Sequence, residues 1–351
     1  MPTVNENTLK KMITSGEVPG LYVIAGEEKY LVARLAKQLI KRAAGETFPE
    51  FNDQSFTDDS SLDSIADAAE ALPFFAERKC VSVADFDVES KSASDLDKLY
   101  ELWEVCPETT TLVFWYPTLD FDGKRSSKWK KFLSQAEARG MVTMCVRRTQ
   151  GDLQRYLVQE AGRNGCTMER PAQRKLLEYT GPDMTALHSE MEKLCAYALG
   201  SGSTEVTPEM VEEMAAKSAE TTAFLMAGAL VAGRYDEAYR LLDLLFYQRE
   251  DPISIAGALS SSYLDMVRVR AALENGGTFA DAAQYGDYKK KQFVLERAQK
   301  NVKGVSQQVL RESIHLLVEA DLALKSSRLD QRVVLDELIA KLLLAARGDR
   351  A

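Results

Sequence analysis

Histidine is nearly absent from this 351-residue chain, which has only His188 and His315. Neither has a cysteine pair nearby, so a zinc centre built from Cys and His is not expected. Cys80, Cys106, Cys145, Cys166 and Cys195 are an odd, dispersed set without a Cys-x-x-Cys. That pattern reads as reduced core residues of a cytosolic protein. No apolar run reaches about 18 residues, so no membrane span is expected. The opening Met-Pro-Thr-Val-Asn-Glu-Asn lacks the basic flank and apolar stretch of a signal peptide. Low-complexity tracts and fixed-period repeats are missing too. What remains, 45% hydrophobic and 28% charged residues, is ordinary for a globular protein, and the length predicts two or three domains, each with its own core.

A further absence is more informative. Leu21-Tyr-Val-Ile-Ala-Gly26 reads as a buried strand that turns into the helical pattern of Tyr30, Leu31, Arg34, Leu35, Gln38 and Leu39. Strand–turn–helix is the setting of a phosphate-binding loop. Such a loop needs glycines, so that backbone N–H groups can wrap the phosphates, and then Lys-Ser/Thr for charge and Mg²⁺. Here Gly26 is followed by Glu-Glu-Lys-Tyr, with carboxylates where phosphate oxygens would sit. Downstream, Asp85-Phe-Asp87 splits by Phe86 the acids that an ATPase would hold adjacent, so their side chains are expected to diverge. No Ser-Arg-Cys segment supplies an arginine finger, and no nucleophile motif marks a Ser/His/Asp triad. His188, among Glu190, Glu192 and Lys193, reads as part of a solvated helix face.

The net charge of −9 argues against free-standing nucleic-acid binding, yet it is unevenly spread. Residues 53–101 carry thirteen acids and four bases, residues 122–148 eight bases and two acids, and residues 266–305 eight bases and four acids. Each basic island reads either as a contact with phosphates or as a solvated face. Within the last, Tyr288-Lys289-Lys290-Lys291 combines clustered charge with an aromatic that can stack on a base; a solvated basic turn is the other reading.

Strand and helix alternate over the first 145 or so residues. Strands are expected at 21–25, 54–57, 79–84, 110–116 and 141–146, and amphipathic helices at 31–44, 61–71, 94–105 and 128–139. This alternation implies a mostly parallel sheet with helices on both faces. From about 148 the strand signal disappears, with helices expected at 150–163, 171–179, 183–199 and 207–217. Residues 218–347 read as at least five more helices, broken at Gly233, Asp251-Pro252, Asn275-Gly-Gly277 and Gly304. The last helix, from Val333 to Leu344, has more apolar faces than one small domain usually needs. The fold class is therefore α/β plus all-α.

One short connection stands out. Leu62, Ile65, Ala66, Ala69 and Leu72 follow helical spacing, Pro73 stops the helix, and Phe74 and Phe75 follow before the strand at Lys79. The two phenylalanines either fold back as core and seal the helix end, or stand out as an apolar plug for a partner's pocket.

Five segments, taken in order and spacing, resemble the family of delta subunits of the bacterial DNA polymerase III clamp loader. They are Tyr22-Val-Ile-Ala-Gly-Glu-Glu-Lys-Tyr-Leu31, Leu72-Pro-Phe-Phe-Ala-Glu-Arg-Lys79, Leu187-His-Ser-Glu-Met-Glu-Lys-Leu194, Phe224-Leu-Met-Ala-Gly-Ala-Leu-Val-Ala-Gly233 and Asp321-Leu-Ala-Leu-Lys-Ser-Ser327. The resemblance implies an AAA+-like parallel-sheet domain over 1–147 without a functional phosphate loop, a small helical lid-like domain over 148–217, and a helical collar over 218–351. It implies a cytoplasmic replisome subunit with no cofactor and no catalysis of its own, counted with a DNA-directed DNA polymerase (a nucleotidyltransferase). Such a subunit binds and opens the ring-shaped β sliding clamp for loading onto primed DNA. Its partners would be that clamp, the gamma/tau ATPase subunits, delta-prime and primed DNA, and not a membrane. Carried over by position, Leu72, Phe74 and Phe75 would be the clamp-binding residues, with Phe75 deepest; the family often has an aliphatic where this chain has Phe74. Tyr288, Lys289, Lys290 and Lys291 would lie near DNA, and the collar would pack against neighbours in a five-membered ring. A divergent active AAA+ ATPase and a helical adaptor are the competing readings.

Overall fold

The computed structural model describes residues 5–16, 18, 20–120, 126–286, 288, 292–326 and 328–348. The chain divides into two compact units, 1–148 and 149–351. In the first, the order is α1 (Glu6–Ser15), β1 (Gly20–Gly26), α2 (Lys29–Ala44), α3 (Pro49–Asn52), β2 (Asp53–Thr57), α4 (Leu62–Glu70), β3 (Lys79–Ala84), α5 (Ala93–Val105), β4 (Thr110–Trp115), α6 (Ser127–Arg139) and β5 (Gly140–Cys145).

The five strands pair in parallel in the order β2-β3-β4-β1-β5. This is the parallel sheet that the strand–helix alternation led one to expect. Apolar side chains point to both faces of the central strands, as a doubly covered parallel sheet requires. Leu21, Val23, Val81, Val83, Leu112, Phe114 and Val142 share one core with Ile65 and Ala69 of α4, Leu99 and Trp103 of α5, and Trp129 and Phe132 of α6. Residues of the other parity, such as Tyr22 and Ile24, are equally buried, and α2 packs along β1, β3 and β4.

The second unit runs α7 (Gln150–Arg163), β6 (Thr167–Met168), α8 (Arg170–Thr180), α9 (Met184–Gly200), β7 (Glu205–Val206), α10 (Pro208–Met214), α11 (Ala219–Val231), α12 (Tyr235–Tyr247), α13 (Pro252–Glu274), a 3₁₀ turn (Phe279–Tyr285), α14 (Gln292–Val302), α15 (Gln307–Ser326) and α16 (Gln331–Gly348). The strand signal does not end at 148, because β6 and β7 form a short parallel pair. Two residues each are too few to show period-2 alternation. From α11 onward one continuous core gathers Leu230, Leu242, Tyr263, Met266, Leu310 and Leu342. In α16, Val334, Leu335, Leu338, Ile339, Leu342 and Leu343 are all buried there, which leaves Val333 and Leu344 exposed. The apolar excess of that helix is thus used mostly within its own unit.

Among the described residues, no helix is long and apolar enough to cross a membrane.

Candidate functional site

The sharpest feature of the first unit is the end of α4. Ser61 caps its start, accepting from the backbone N–H of Ser64 at 3.1 Å, and Ile65 and Ala69 anchor its inner face. Its C-terminal carbonyls are satisfied from β3 and β4. The buried Lys79 ammonium donates to the carbonyl of Ala68, and the Thr110 hydroxyl donates to that of Ala69 at 2.8 Å. A cation at a helix C-terminus also meets the negative end of the helix dipole. Burial pushes the pKa of Lys79 down from its ordinary value.

Beyond this fixed end the chain turns outward. Leu72 is 82% exposed, Phe75 80% and Phe74 42%. The core reading of Phe74-Phe75 therefore fails for Phe75, whose ring lies against other aromatics at the surface. Phe74 and Phe75 lie edge-on with centroids 4.8 Å apart. Phe74 also packs on Phe48 at 5.5 Å and Phe51 at 4.7 Å, while Phe48 reaches Phe75 at 6.2 Å. Phe48 and Phe51, which flank and form α3, are themselves exposed. Four phenylalanines from two chain segments thus make one surface patch with Leu72 nearby in sequence.

The backbone there is strained. Phe75 has φ +47° and Phe48 φ +46°, the left-handed region that a bulky side chain rarely adopts and that costs of order 1–3 kcal/mol. Asn52, wholly buried, holds the segment. Its side-chain oxygen accepts from the Phe74 N–H at 2.8 Å, and its amide nitrogen donates to the carbonyls of Phe74 and Thr47, each at 2.9 Å. Sequence reasoning missed Phe48, Phe51 and Asn52, which pair with residues more than twenty positions away. The aromatics around Pro49 in Thr47-Phe-Pro-Glu-Phe-Asn52 were the available signal.

The turn after β1 has a different architecture. Gly26 has φ +139°, and a Cβ there would sit 2.1 Å from the Cys145 carbonyl oxygen, so only glycine fits against β5. Glu28 starts α2 without a side-chain cap and donates its N–H to the same carbonyl. Lys29 turns its ammonium onto the carbonyls of Tyr116, at 3.3 Å, and Leu119. Burial lowers its pKa, against the pull of Asp120 and Asp85. Asp85 and Asp87 diverge as expected. The Asp85 carboxylate accepts from the Leu119 N–H at 2.8 Å and from the N–H and hydroxyl of Thr118, that of Asp87 accepts from the Glu89 N–H, and Phe86 between them is fully buried. Lys29 and Asp85 thus hold the β4–α6 connection, while Asp87 braces the turn between β3 and α5.

The remaining site residues fare unequally. Tyr288 is buried, and its hydroxyl donates to Asp265 and accepts from Arg268 at 2.6 Å, so its ring is not open for stacking on a base. The adjoining Lys run suggested a surface position, but this aromatic belongs to the helical core. Lys289, Lys290 and Lys291 lie outside the described residues. His188 is only partly solvated: its Nδ1 lies 3.4 Å from the buried carboxylate of Glu160 and its Nε2 3.5 Å from Glu192. Among the described residues no group of His, Cys, Asp and Glu is placed to hold a metal ion.

The family model of the DNA polymerase III delta subunit matches residues 22–142, and that of the C-terminal domain of the DNA polymerase III delta subunit matches residues 220–342. The chain is similar to the DNA polymerase III subunit delta of Bacillus subtilis (strain 168), with 22% identity over 342 residues and 95% of each protein covered. It is similar in fold to the solved structure of the Bacillus subtilis DNA clamp loader delta protein, with a TM-score of 0.59, 21% identity, and 96% of this chain and 98% of that one covered.

Proposed function

We propose, from the premise that the chain belongs to the DNA polymerase III delta subunit family, that it binds and opens the β sliding clamp through the aromatic tip after α4. As a delta subunit it is part of a polymerase complex. The reading rests on one observation: Leu72 and Phe75 project at 82% and 80% exposure from a tip whose base is fixed by buried hydrogen bonds. An exposed aromatic on a strained, immobilised backbone loses little conformational freedom on binding, which suits it to fill a pocket. Leu72, Phe74 and Phe75 are the clamp-binding residues of this account. Docking such anchors biases a strained ring toward opening by the difference in affinity between its closed and open forms.

The rest of the chain takes the parts its family suggests. Residues 1–147 carry the clamp-binding element on an AAA+-like scaffold that neither binds nor hydrolyses ATP, since Lys29 and Asp85 are engaged with the β4–α6 connection and Asp87 with its own turn. Residues 148–217 form a lid-like domain. Residues 218–351 form a collar that packs with the gamma/tau and delta-prime subunits in the cytoplasmic loader, with exposed Val333 and Leu344 available at its last helix. Lys289, Lys290 and Lys291 face primed DNA in the assembled loader, without Tyr288.

The test is a binding titration of the full chain with its organism's sliding clamp, comparing the unaltered protein with Phe75→Ala. Loss of affinity at unchanged melting temperature supports the plug; full affinity in the variant removes it.

A further inference from the structure

We infer that Asn52 is a positioning residue for the tip, a latch that sets the backbone from which Phe75 projects. The inference rests on the clamp-binding reading of Phe75 and deepens it. Asn52 ends α3, at the edge of the sheet where β2 begins, and is completely buried although it is polar. All three of its bonds go to main-chain atoms of the two segments that build the aromatic patch: the Phe74 N–H and carbonyl, and the Thr47 carbonyl. A side-chain amide that both accepts from the N–H and donates to the carbonyl of one residue fixes the peptide groups on both sides of it, as a strand partner would. The residue thus held immediately precedes Phe75, whose φ of +47° is unfavourable for a phenylalanine. Strain of this kind persists only where its surroundings over-determine it. The ring contacts of Phe48 and Phe51 with Phe74 are non-directional and permit sliding, whereas the three hydrogen bonds of Asn52 do not.

Without the latch, the segment after α4 can relax Phe75 toward negative φ and lose the projecting geometry. Binding then requires the tip to be reordered first, which lowers apparent affinity by the fraction of time the competent geometry is populated. Asn52→Ala should weaken clamp binding about tenfold or more, the loss expected when the competent geometry is populated roughly a tenth of the time or less.

The experiment is a double-mutant cycle on the full chain, with clamp affinity and amide hydrogen exchange of the clamp-free protein as readouts. Asn52→Ala, Phe75→Ala and their combination are compared, with Asn52→Asp as a second latch variant. Asn52→Asp keeps an acceptor for the Phe74 N–H but sets a buried carboxylate against the Phe74 and Thr47 carbonyls in place of a donor, so it too should weaken binding. The proposal expects the Phe74 amide to lose protection in Asn52→Ala and to keep more of it in Asn52→Asp, which retains an acceptor for that N–H, and the affinity losses to be non-additive. Asn52→Ala should cost about tenfold in the unaltered background and almost nothing once Phe75 is gone. Full additivity, or unchanged affinity in a folded Asn52→Ala or Asn52→Asp chain, overturns it. Should Asn52→Ala not fold, Asn52→Asp decides by the same two readouts. If Phe75→Ala itself binds the clamp normally, the clamp-binding reading falls and the latch's role in binding with it. If Phe75→Ala loses binding while the Asn52 variants retain it, only the latch is refuted.

Discussion

Replacing Phe75 with alanine removes a side chain whose surface is almost entirely free in the isolated chain, at 80% exposure. That exposure fixes the sign and size of both expected effects. On docking, nearly all of the ring's apolar area remains to be buried, and full burial of such a side chain contributes roughly 1.5–3 kcal/mol by transfer alone. A central anchor that also leaves its pocket unfilled costs about 2–4 kcal/mol, a loss of about 30-fold to nearly a thousandfold in affinity. On folding, by contrast, the ring is mostly exposed and edges against Phe74 and Phe48, so truncation should cost about 1 kcal/mol or less and move Tm by no more than about 2–4 °C. Phe75→Gly should bind as poorly as Phe75→Ala yet be more stable by up to about 1 kcal/mol, because glycine occupies φ +47° without penalty. Leu72→Ala, removing a smaller side chain, should cost about 1–2 kcal/mol of affinity. Titrations by calorimetry or surface binding, paired with melting curves, check all three variants. A large fall in Tm for Phe75→Ala with retained binding would refute the plug and return the pair to a packing role.

The purified chain should show no Mg·ATP turnover, because Lys29 is held on the carbonyls of Tyr116 and Leu119; steady hydrolysis abolished by Lys29→Ala would contradict this. Changing Lys289, Lys290 and Lys291 to Glu should weaken primer–template binding by the assembled loader and reduce its salt slope by about 3 while sparing clamp binding. Tyr288→Phe should leave DNA affinity unaltered but lower Tm, since it deletes the bonds to Asp265 and Arg268; a salt series on the assembled loader, with a melting curve of the variant, tests both. Hydrogen bonds from Lys175 and Tyr179 hold the Glu212 carboxyl down at about 2, against an ordinary value of 4.5. Between those values the unfolded chain binds more protons, so this contribution is present above pH 4.5 and is lost as pH falls toward 2. Glu212→Gln should therefore flatten part of the acid limb of the stability profile, as followed by Tm from about pH 6 to about pH 3.

The elements with strong periodicity were legible in advance for physical reasons. The strand at Lys79–Ala84 begins and ends where expected, and α4 has its cap at Ser61 and its stop before Pro73. Local rules decide such boundaries. By contrast, α1 buries only Glu6 and Leu9, too sparse a stripe to register, and α3 is a single turn. At the site, Leu72 and Phe75 could be named from the sequence because the Pro-Phe-Phe after a helix is a local signal. Whether they faced the core could not, since that depends on Asn52, twenty-two residues before Phe74, and on Lys79 and Thr110 closing the helix end from other strands. Tyr288 shows the reverse: a basic neighbourhood says nothing about where an aromatic ring goes when Asp265 and Arg268 on α13 can bind its hydroxyl.

The claim that this chain binds and opens the sliding clamp is tested most directly by titrating the full chain into its organism's intact clamp ring, labelled with a self-quenching fluorophore pair across one interface of the ring. The account predicts saturable dequenching with the unaltered chain and none with Phe75→Ala at the same concentrations. A ring that stays quenched at concentrations where the unaltered chain is bound would contradict opening, and no binding at all would contradict the account itself.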